Sequence, residues 1–182
     1  MTSSNETKNA SGLTPSQSQN LQERSSQPQE EKILTAIKEM YSCKPREDTF
    51  AIYTKDSVFH DPVGIAEGQS SIQSQFLALA KIFEKADIPK FRVLTNPPDI
   101  PSTTILIDQD VAYYRSASSS SPTKTLNSLL TLQTNGEGQV TRHTEEWNHQ
   151  KQTTSDDGFL GMINEQRKKF TAGVTDMFVG IK

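Results

Sequence analysis

A histidine and a glutamate two residues apart could carry acid–base chemistry in this chain. His143, Glu145 and Trp147 alternate along a segment rich in β-forming residues, so they project from one face of a predicted strand. A histidine oriented by a carboxylate can act as a general base. Without other context, such a pair is more often a polar patch on an exposed or dimer-facing sheet surface. A lone Trp is usually buried, which favours the inner face of the sheet for all three residues.

A second carboxylate, Asp61, precedes Pro62 at the end of another short β-forming run. It could accept a proton or partner His143 across a cavity mouth. The plainer interpretation is that it braces the turn that leads to Gly64. His60 is its direct neighbour and points to the opposite strand face, so at most one of the two lines a pocket.

Aromatic and basic side chains on neighbouring elements could complete such a pocket. Tyr53 and Tyr113 could donate hydrogen bonds to a carbonyl or an enolate, and Arg115 could hold a carboxylate. Equally, these residue types are ordinary in packed sheets, and core packing is the plainer interpretation for most of the aromatic residues. The side chains that we expect to line the pocket are Tyr53, Phe59, Phe76, Tyr113, Arg115 and Trp147.

We expect neither a metal nor a cofactor. Asp61, His143 and Glu145 are residue types that bind metals, but no local spacing typical of a metal site accompanies them. The chain has one cysteine, Cys43, and it lacks a Gly-rich phosphate loop and a Gly-x-Ser-x-Gly motif. Nucleotide-dependent, serine-nucleophile and thiol-redox chemistry therefore have no support.

Charge and hydropathy narrow the function further. Nineteen Lys and Arg against 22 Asp and Glu give a formal net charge of -3, which offers no broad footprint for nucleic acid. No basic segment followed by an apolar run opens the chain, and no stretch is apolar over the length of a membrane span. We therefore expect a cytoplasmic protein that does not bind nucleic acid.

The first 30 residues differ in composition from the rest. They contain 18 Ser, Thr, Asn or Gln and no aromatic residue. Such a segment buries too little apolar surface to offset its chain entropy, so we predict a disordered tail over 1–30. A single domain over 31–152 and an amphipathic helix over 153–182 follow.

Hydrophobic spacing within 31–152 predicts an α+β domain. Apolar residues recur at helical spacing in 31–41 and 70–85, a shorter helix begins near Pro45, and β-forming runs occupy the remainder. The predicted strands are 58–62, 91–95, 103–115, 123–134 and 140–149. Helices followed by a long antiparallel meander indicate two layers, with the helices packed on one face of a strongly curved antiparallel sheet.

Three parts of this pattern resemble the nuclear transport factor 2-like superfamily, and within it the SnoaL-like branch. They are YTKDSVFHDP at 53–62, Gly68 before the next helix, and VTRHTEEWN at 140–148. The resemblance implies a cone-shaped domain with a pocket between sheet and helices. Its members include cyclases, isomerases, dehydratases, hydrolytic enzymes and non-catalytic modules. The Tyr, Asp and two-His cluster of its catalytic dehydratases is not reproduced at the same spacing.

Three functions follow as hypotheses. The first is a pocket that binds a small apolar organic molecule, with no reaction assigned. The second is an isomerase, cyclase or dehydratase in which His143, oriented by Glu145 or Asp61, removes a proton beside a carbonyl. The third is a non-catalytic module that forms a homodimer through the sheet. We expect the C-terminal helix to dock on the domain or on a dimer partner; the alternative is contact with a membrane surface.

Overall fold

The structure, a computed structural model, describes residues 6–151 and 158–179, with side chains through residue 169. Its α-helices are α1 (Pro15–Gln19), α2 (Glu31–Tyr41), α3 (Gln69–Ile82) and α4 (Gly158–Val179). Short 3-10 helices lie at Pro28–Glu30 and Thr49–Ile52. The strands are β1 (Tyr53–Asp61), β2 (Gly64–Glu67), β3 (Lys85–Val93), β4 (Thr104–Tyr114), β5 (Lys124–Thr134) and β6 (Val140–Trp147).

The six strands form one mixed sheet in the order β2-β1-β6-β5-β4-β3. The meander from β3 to β6 is antiparallel, as the sequence predicted, and β1 pairs antiparallel with β2. The pair of β1 and β6 is parallel instead. A parallel pair needs a long connection, and α3 with four further strands separates the two in the chain. The α+β class is confirmed, with a mixed sheet in place of a purely antiparallel one.

Two predicted boundaries are wrong. No helix begins near Pro45; a 3-10 turn at Thr49–Ile52 leads directly into β1, which therefore includes Tyr53. Asp87 and Pro89 lie inside strand β3 and do not mark a helix end beyond residue 85. β3 tolerates Pro89 because it is the outermost strand of the sheet and its register shifts between Asp87 and Lys90.

The main hydrophobic core lies between the inner face of the sheet and the helices. Ile37 and Met40 of α2 and Phe76 of α3 are buried there against strand residues such as Ile107 and Leu130. Buried residues recur at i, i+3 and i+7 spacing along α2, the period from which this helix was predicted. Strand β4 is buried along almost its whole length, because its outer face is covered as well.

The prediction of a disordered tail is wrong for residues 6–30. Buried Asn9 donates hydrogen bonds from Nδ2 to the Ser18 hydroxyl (3.1 Å) and to the His149 carbonyl (3.1 Å). Further along, the Arg24 amide donates to the Val93 carbonyl at 2.8 Å. These polar groups find partners on the domain, and this order does not depend on a large apolar content.

This N-terminal segment, residues 9–24, crosses the outer face of the sheet from the end of β6 to β3. Leu21 packs there on a second hydrophobic cluster of Leu94, Leu106 and Leu129. Below it, the buried ring of His149 lies 2.8 Å from the Ser18 hydroxyl and 3.1 Å from an Asp108 carboxylate oxygen. The segment therefore covers apolar surface that the sheet would otherwise expose.

The C-terminal helix α4 docks on the domain in its first turns, where Phe159 and Ile163 are buried in the main core. The boundary predicted at residue 152 lies outside the described residues. Within the ranges that the structure covers, no helix combines the length and the apolar character needed to cross a membrane.

Candidate functional site

A small cavity lies at the inner face of the sheet, between β1, β6 and helices α3 and α4. Its volume is about 20 Å³, enough for roughly one water molecule. Six polar side chains contribute to its lining: Tyr41, Asp61, Gln75, Tyr113, Glu145 and Arg167. The remaining lining is hydrophobic, with Phe59, Phe76, Leu79, Leu126, Trp147, Phe159 and Ile163 among the contributors.

Helix α4 closes this cavity. The Phe159 ring lies 5.7 Å from that of Phe83, 5.9 Å from that of Tyr113 and 6.0 Å from that of Trp147, measured between centroids. One helical turn on, Ile163 is also buried. A ligand larger than water therefore needs the start of α4 to move away from the sheet.

Glu145 is a nearly buried carboxylate in the cavity lining, with 8% of its surface exposed. Its Oε2 accepts a hydrogen bond from the Tyr41 hydroxyl (2.9 Å), and its Oε1 accepts one from Trp147 Nε1 (3.2 Å). Burial, and then the negative charge of Asp61, raise its pKa from 4.5 to about 7, while hydrogen bonds from Tyr41, Ser128 and Trp147 oppose the shift. The group can therefore take up or release a proton near neutral pH.

Asp61 lies beside Glu145 because β1 and β6 run parallel in register, Phe59 opposite His143. Its Oδ1 accepts hydrogen bonds from the backbone amides of Val63 and Gly64, both at 2.9 Å, which braces the turn into β2. Its Oδ2 pairs with Arg167 Nη2 of α4 at 2.9 Å. Asp61 thus holds α4 over the cavity as well as shaping the turn.

His143 is fully buried, at 0% exposure, and lies behind the cavity wall. Its Nδ1 is 2.8 Å from the Tyr53 hydroxyl, and its Nε2 is 3.3 Å from the Tyr41 hydroxyl. The rings of Phe59 and Phe76 pack on it at centroid distances of 4.8 and 6.3 Å. Burial lowers the pKa of His143 from 6.5 to about 3, so the imidazole is neutral at physiological pH.

Similar architecture is found in several solved structures. A steroid delta-isomerase from Pseudomonas aeruginosa superposes with a TM-score of 0.57 at 9% identity, over 82% of this chain and 96% of that one. An NTF2-like protein from Anabaena variabilis gives 0.53 at 12% identity, over 68% of this chain and 93% of that one. The fold is that of the nuclear transport factor 2-like superfamily. No protein-family model and no curated protein matches the chain.

Within the nuclear transport factor 2-like fold, a putative polyketide cyclase from Silicibacter sp. is also similar. Its TM-score is 0.52 at 13% identity, over 65% of this chain and 88% of that one. Identities at this level show the shared fold, and the chemistry of this chain has to be judged from its own residues.

The structure brings together most of the residues singled out from the sequence. His143, Glu145 and Trp147 all point to the inner face, and Asp61 and Tyr113 reach the same cavity. The cavity is also lined by the predicted Phe59 and Phe76.

Two predicted pocket residues lie elsewhere. Tyr53 is buried against His143 behind the cavity wall. Arg115 is exposed beyond the end of β4, because the strand stops before its side chain can turn inward.

Sequence reasoning missed several residues of the site, and Tyr41 and Arg167 matter most for its chemistry because they contact Glu145 and Asp61. Tyr41 belongs to the apolar stripe of α2, and its hydroxyl at the helix end was the only signal of a polar role. Arg167 belongs to a short basic run that is typical of a solvated helix face. In the described part of the chain, no group of three or more His, Cys, Asp or Glu side chains is arranged to bind a metal.

Proposed function

We propose that this domain binds a small, mainly apolar carbonyl compound at the inner face of its sheet and moves a proton on it, with Glu145 as the base. The observation that carries the proposal is a nearly buried carboxylate that lines the cavity together with hydrophobic side chains, with its pKa raised to about 7. The fold is compatible with this, since similar structures include a steroid delta-isomerase and a putative polyketide cyclase.

Glu145 fits the role of base better than His143, to which the sequence pointed first. An efficient base has a pKa near the working pH and reaches the substrate directly. Glu145 lines the cavity and meets both conditions. His143 lies behind the wall, and its pKa of about 3 makes the imidazole a weak base.

Tyr113 can hold the oxygen that becomes negative in such a reaction. Tyr113 lines the cavity, and burial followed by the charge of Glu145 raises its pKa, so its hydroxyl keeps its proton and can donate it in a hydrogen bond.

In the proposed step, Glu145 takes a proton from the carbon next to the carbonyl. An enolate forms, and the Glu145 acid then returns the proton to a different carbon of the same molecule. The balance needs no further reactant.

Substrate entry requires the first turns of α4 to leave the cavity. Phe159 and Ile163 occupy the space next to Trp147 that the apolar part of a ligand would fill. The Asp61–Arg167 pair would open at the same time. We therefore propose that α4 acts as the cover of the site and that its apolar side chains are exchanged for those of the ligand.

The experiment uses a panel of β,γ-unsaturated cyclic ketones, whose conversion to the conjugated ketone is followed by ultraviolet absorbance. Turnover should rise as the pH passes through about 7, and Glu145→Gln should reduce it roughly a hundredfold or more. Glu146→Gln is the matched control, since the neighbouring Glu146 carboxylate binds the Ala10 amide on the outer face.

Native mass spectrometry of the purified protein tests the binding part independently. A copurified small molecule that is lost in a cavity-filling variant such as Leu126→Phe is the expected result. Absence of any bound molecule together with absence of turnover on the whole panel would contradict the proposal, as would equal losses in the two glutamate variants.

The homodimer through the sheet stays a prediction. The N-terminal segment 9–24 occupies part of the outer face, where Leu21 packs on Leu94 and Leu106. A second copy would therefore meet the segment as well as the strands.

A further inference from the structure

Four buried side chains form a continuous chain of hydrogen-bonding groups that ends at the proposed base. The Tyr53 hydroxyl lies 2.8 Å from His143 Nδ1, His143 Nε2 lies 3.3 Å from the Tyr41 hydroxyl, and that hydroxyl lies 2.9 Å from Glu145 Oε2. These groups come from α2, β1 and β6. Tyr53 and His143 are buried and lie behind the cavity wall, so their polar atoms find hydrogen-bond partners among the side chains around them.

The proton on Glu145 decides the direction of every bond in this chain. An ionised Glu145 only accepts, so the Tyr41 hydroxyl donates to it. The oxygen of Tyr41 is then an acceptor for an Nε2–H of His143, and Nδ1 accepts from Tyr53. With Glu145 ionised, the imidazole therefore carries its proton on Nε2.

A protonated Glu145 allows all of these bonds to reverse. Its acid O–H donates to the Tyr41 oxygen, the Tyr41 hydroxyl donates to Nε2, and an Nδ1–H of His143 donates to the Tyr53 oxygen. The Tyr53 hydroxyl still has an acceptor, because Met40 Sδ lies 3.7 Å away. In both directions, every proton on these four side chains has a hydrogen-bond acceptor.

We propose that His143 is a positioning residue whose tautomer is coupled at equilibrium to the protonation state of Glu145, so that Tyr41 stays bonded to both forms of the carboxylate. Its place in turnover rests on the function proposed above, whereas the coupling to Glu145 does not. The imidazole and both phenols are neutral in both states, which differ by the one proton on Glu145; between them the ring loses a proton from Nε2 and gains one at Nδ1 by exchange with water. A buried imidazolium among aromatic rings would lack such compensation.

The other groups that face Glu145 do not replace this role. Asp61 approaches from β1 and Tyr113 from β4, and Arg167 of α4 reaches Asp61. Helix α3 faces the cavity with Gln75, Phe76 and Leu79, none of which titrates. Asp61 and Arg167 influence the proton affinity of Glu145 through charge, but only Tyr41 links it to a group with two tautomers.

The test is nitrogen NMR of the histidine rings in protein labelled with ¹⁵N-histidine, recorded across the pH range without substrate. The chain has only 3 histidines, so three ring systems have to be assigned. We expect His143 to shift from the Nδ1–H to the Nε2–H tautomer as the pH rises through the midpoint of Glu145, measured in parallel from its carboxyl infrared band, and to stay neutral.

Variants test the coupling between His143 and Glu145 further. In Glu145→Gln the tautomer of His143 should no longer depend on pH. Tyr41→Phe removes the hydroxyl that joins His143 to Glu145, so in this variant the tautomer of His143 should no longer follow the Glu145 midpoint. Tyr114→Phe is the control, because Tyr114 faces Lys85 and lies outside the chain.

Either of two results in the wild-type protein would overturn the inference, so it does not depend on how well a variant folds. One is a single His143 tautomer on both sides of the Glu145 midpoint, and the other is an imidazolium in that range. A tautomer change without turnover would refute the proposed function alone, and turnover without a tautomer change would refute this inference alone.

Discussion

Replacing Glu145 by Gln should stabilise the folded protein at neutral pH while it removes the proposed activity. The pKa of Glu145 rises from 4.5 to about 7 on folding, chiefly because the carboxylate is buried. Between these values the unfolded chain has released the proton and the folded chain still holds it, so the free energy of unfolding falls as the pH rises. The stabilisation is complete below pH 4.5 and is lost as the pH passes through 7; its size is roughly 3 kcal/mol.

The pKa shift of His143 has the opposite effect on how stability depends on pH. Its pKa falls from 6.5 to about 3 on folding, so over that range the unfolded chain binds the extra proton and the free energy of unfolding rises with pH. Between pH 4.5 and 6.5 the two contributions nearly cancel in the wild-type protein. In Glu145→Gln the histidine contribution is no longer opposed by Glu145, so relative to wild type the free energy of unfolding should rise by roughly 3 kcal/mol across that window.

Urea unfolding followed by fluorescence of Trp147 measures these quantities at a series of pH values. The difference between Glu145→Gln and wild type isolates Glu145, because groups common to both proteins cancel in it. The pKa of Asp108 also departs from its ordinary value of 3.8, but downward, which is below the window. Glu137→Gln in the exposed β5–β6 turn is the control and should show no such trend. A difference that stays constant from pH 4.5 to above 7 would refute the burial of an ionisable Glu145.

Two further predictions concern the elements that cover the sheet. Phe159→Ala should lower the free energy of unfolding by up to about 3 kcal/mol, since the ring packs in the core. It should also raise the fluorescence of a hydrophobic dye as α4 loosens. Leu77→Ala, on an exposed residue of α3, should have neither effect. Equal dye binding in both proteins would contradict the role of α4 as a cover. Asn9→Ala should lower the free energy of unfolding by about 1 to 3 kcal/mol and with it the melting temperature. Lys8→Ala, at the exposed neighbouring position, should leave the melting temperature unchanged. An unchanged melting temperature for Asn9→Ala would contradict a stabilising role of these hydrogen bonds.

The sequence by itself determined most of the helices and strands of the domain and one face of its site. Alternation along β6, with a single Trp at its end, was enough to place His143 and Glu145 on the inner face. Helical spacing defined α2 and α3, and strand-like runs defined the meander. These features depend on neighbours a few residues apart, which a sequence records directly.

Only the tertiary structure decided which of these groups meet and what they can do. Tyr41 reaches Glu145 and His143 from more than 100 positions away, and Arg167 reaches Asp61 over a similar separation. Proton affinity depends on burial and on such distant partners. The lowered pKa of His143 and the raised pKa of Glu145 could therefore not be predicted from residue types and spacing. The same holds for the N-terminal segment. Its polar composition indicated disorder, and its order comes from hydrogen-bond partners that the sheet supplies across the whole length of the chain.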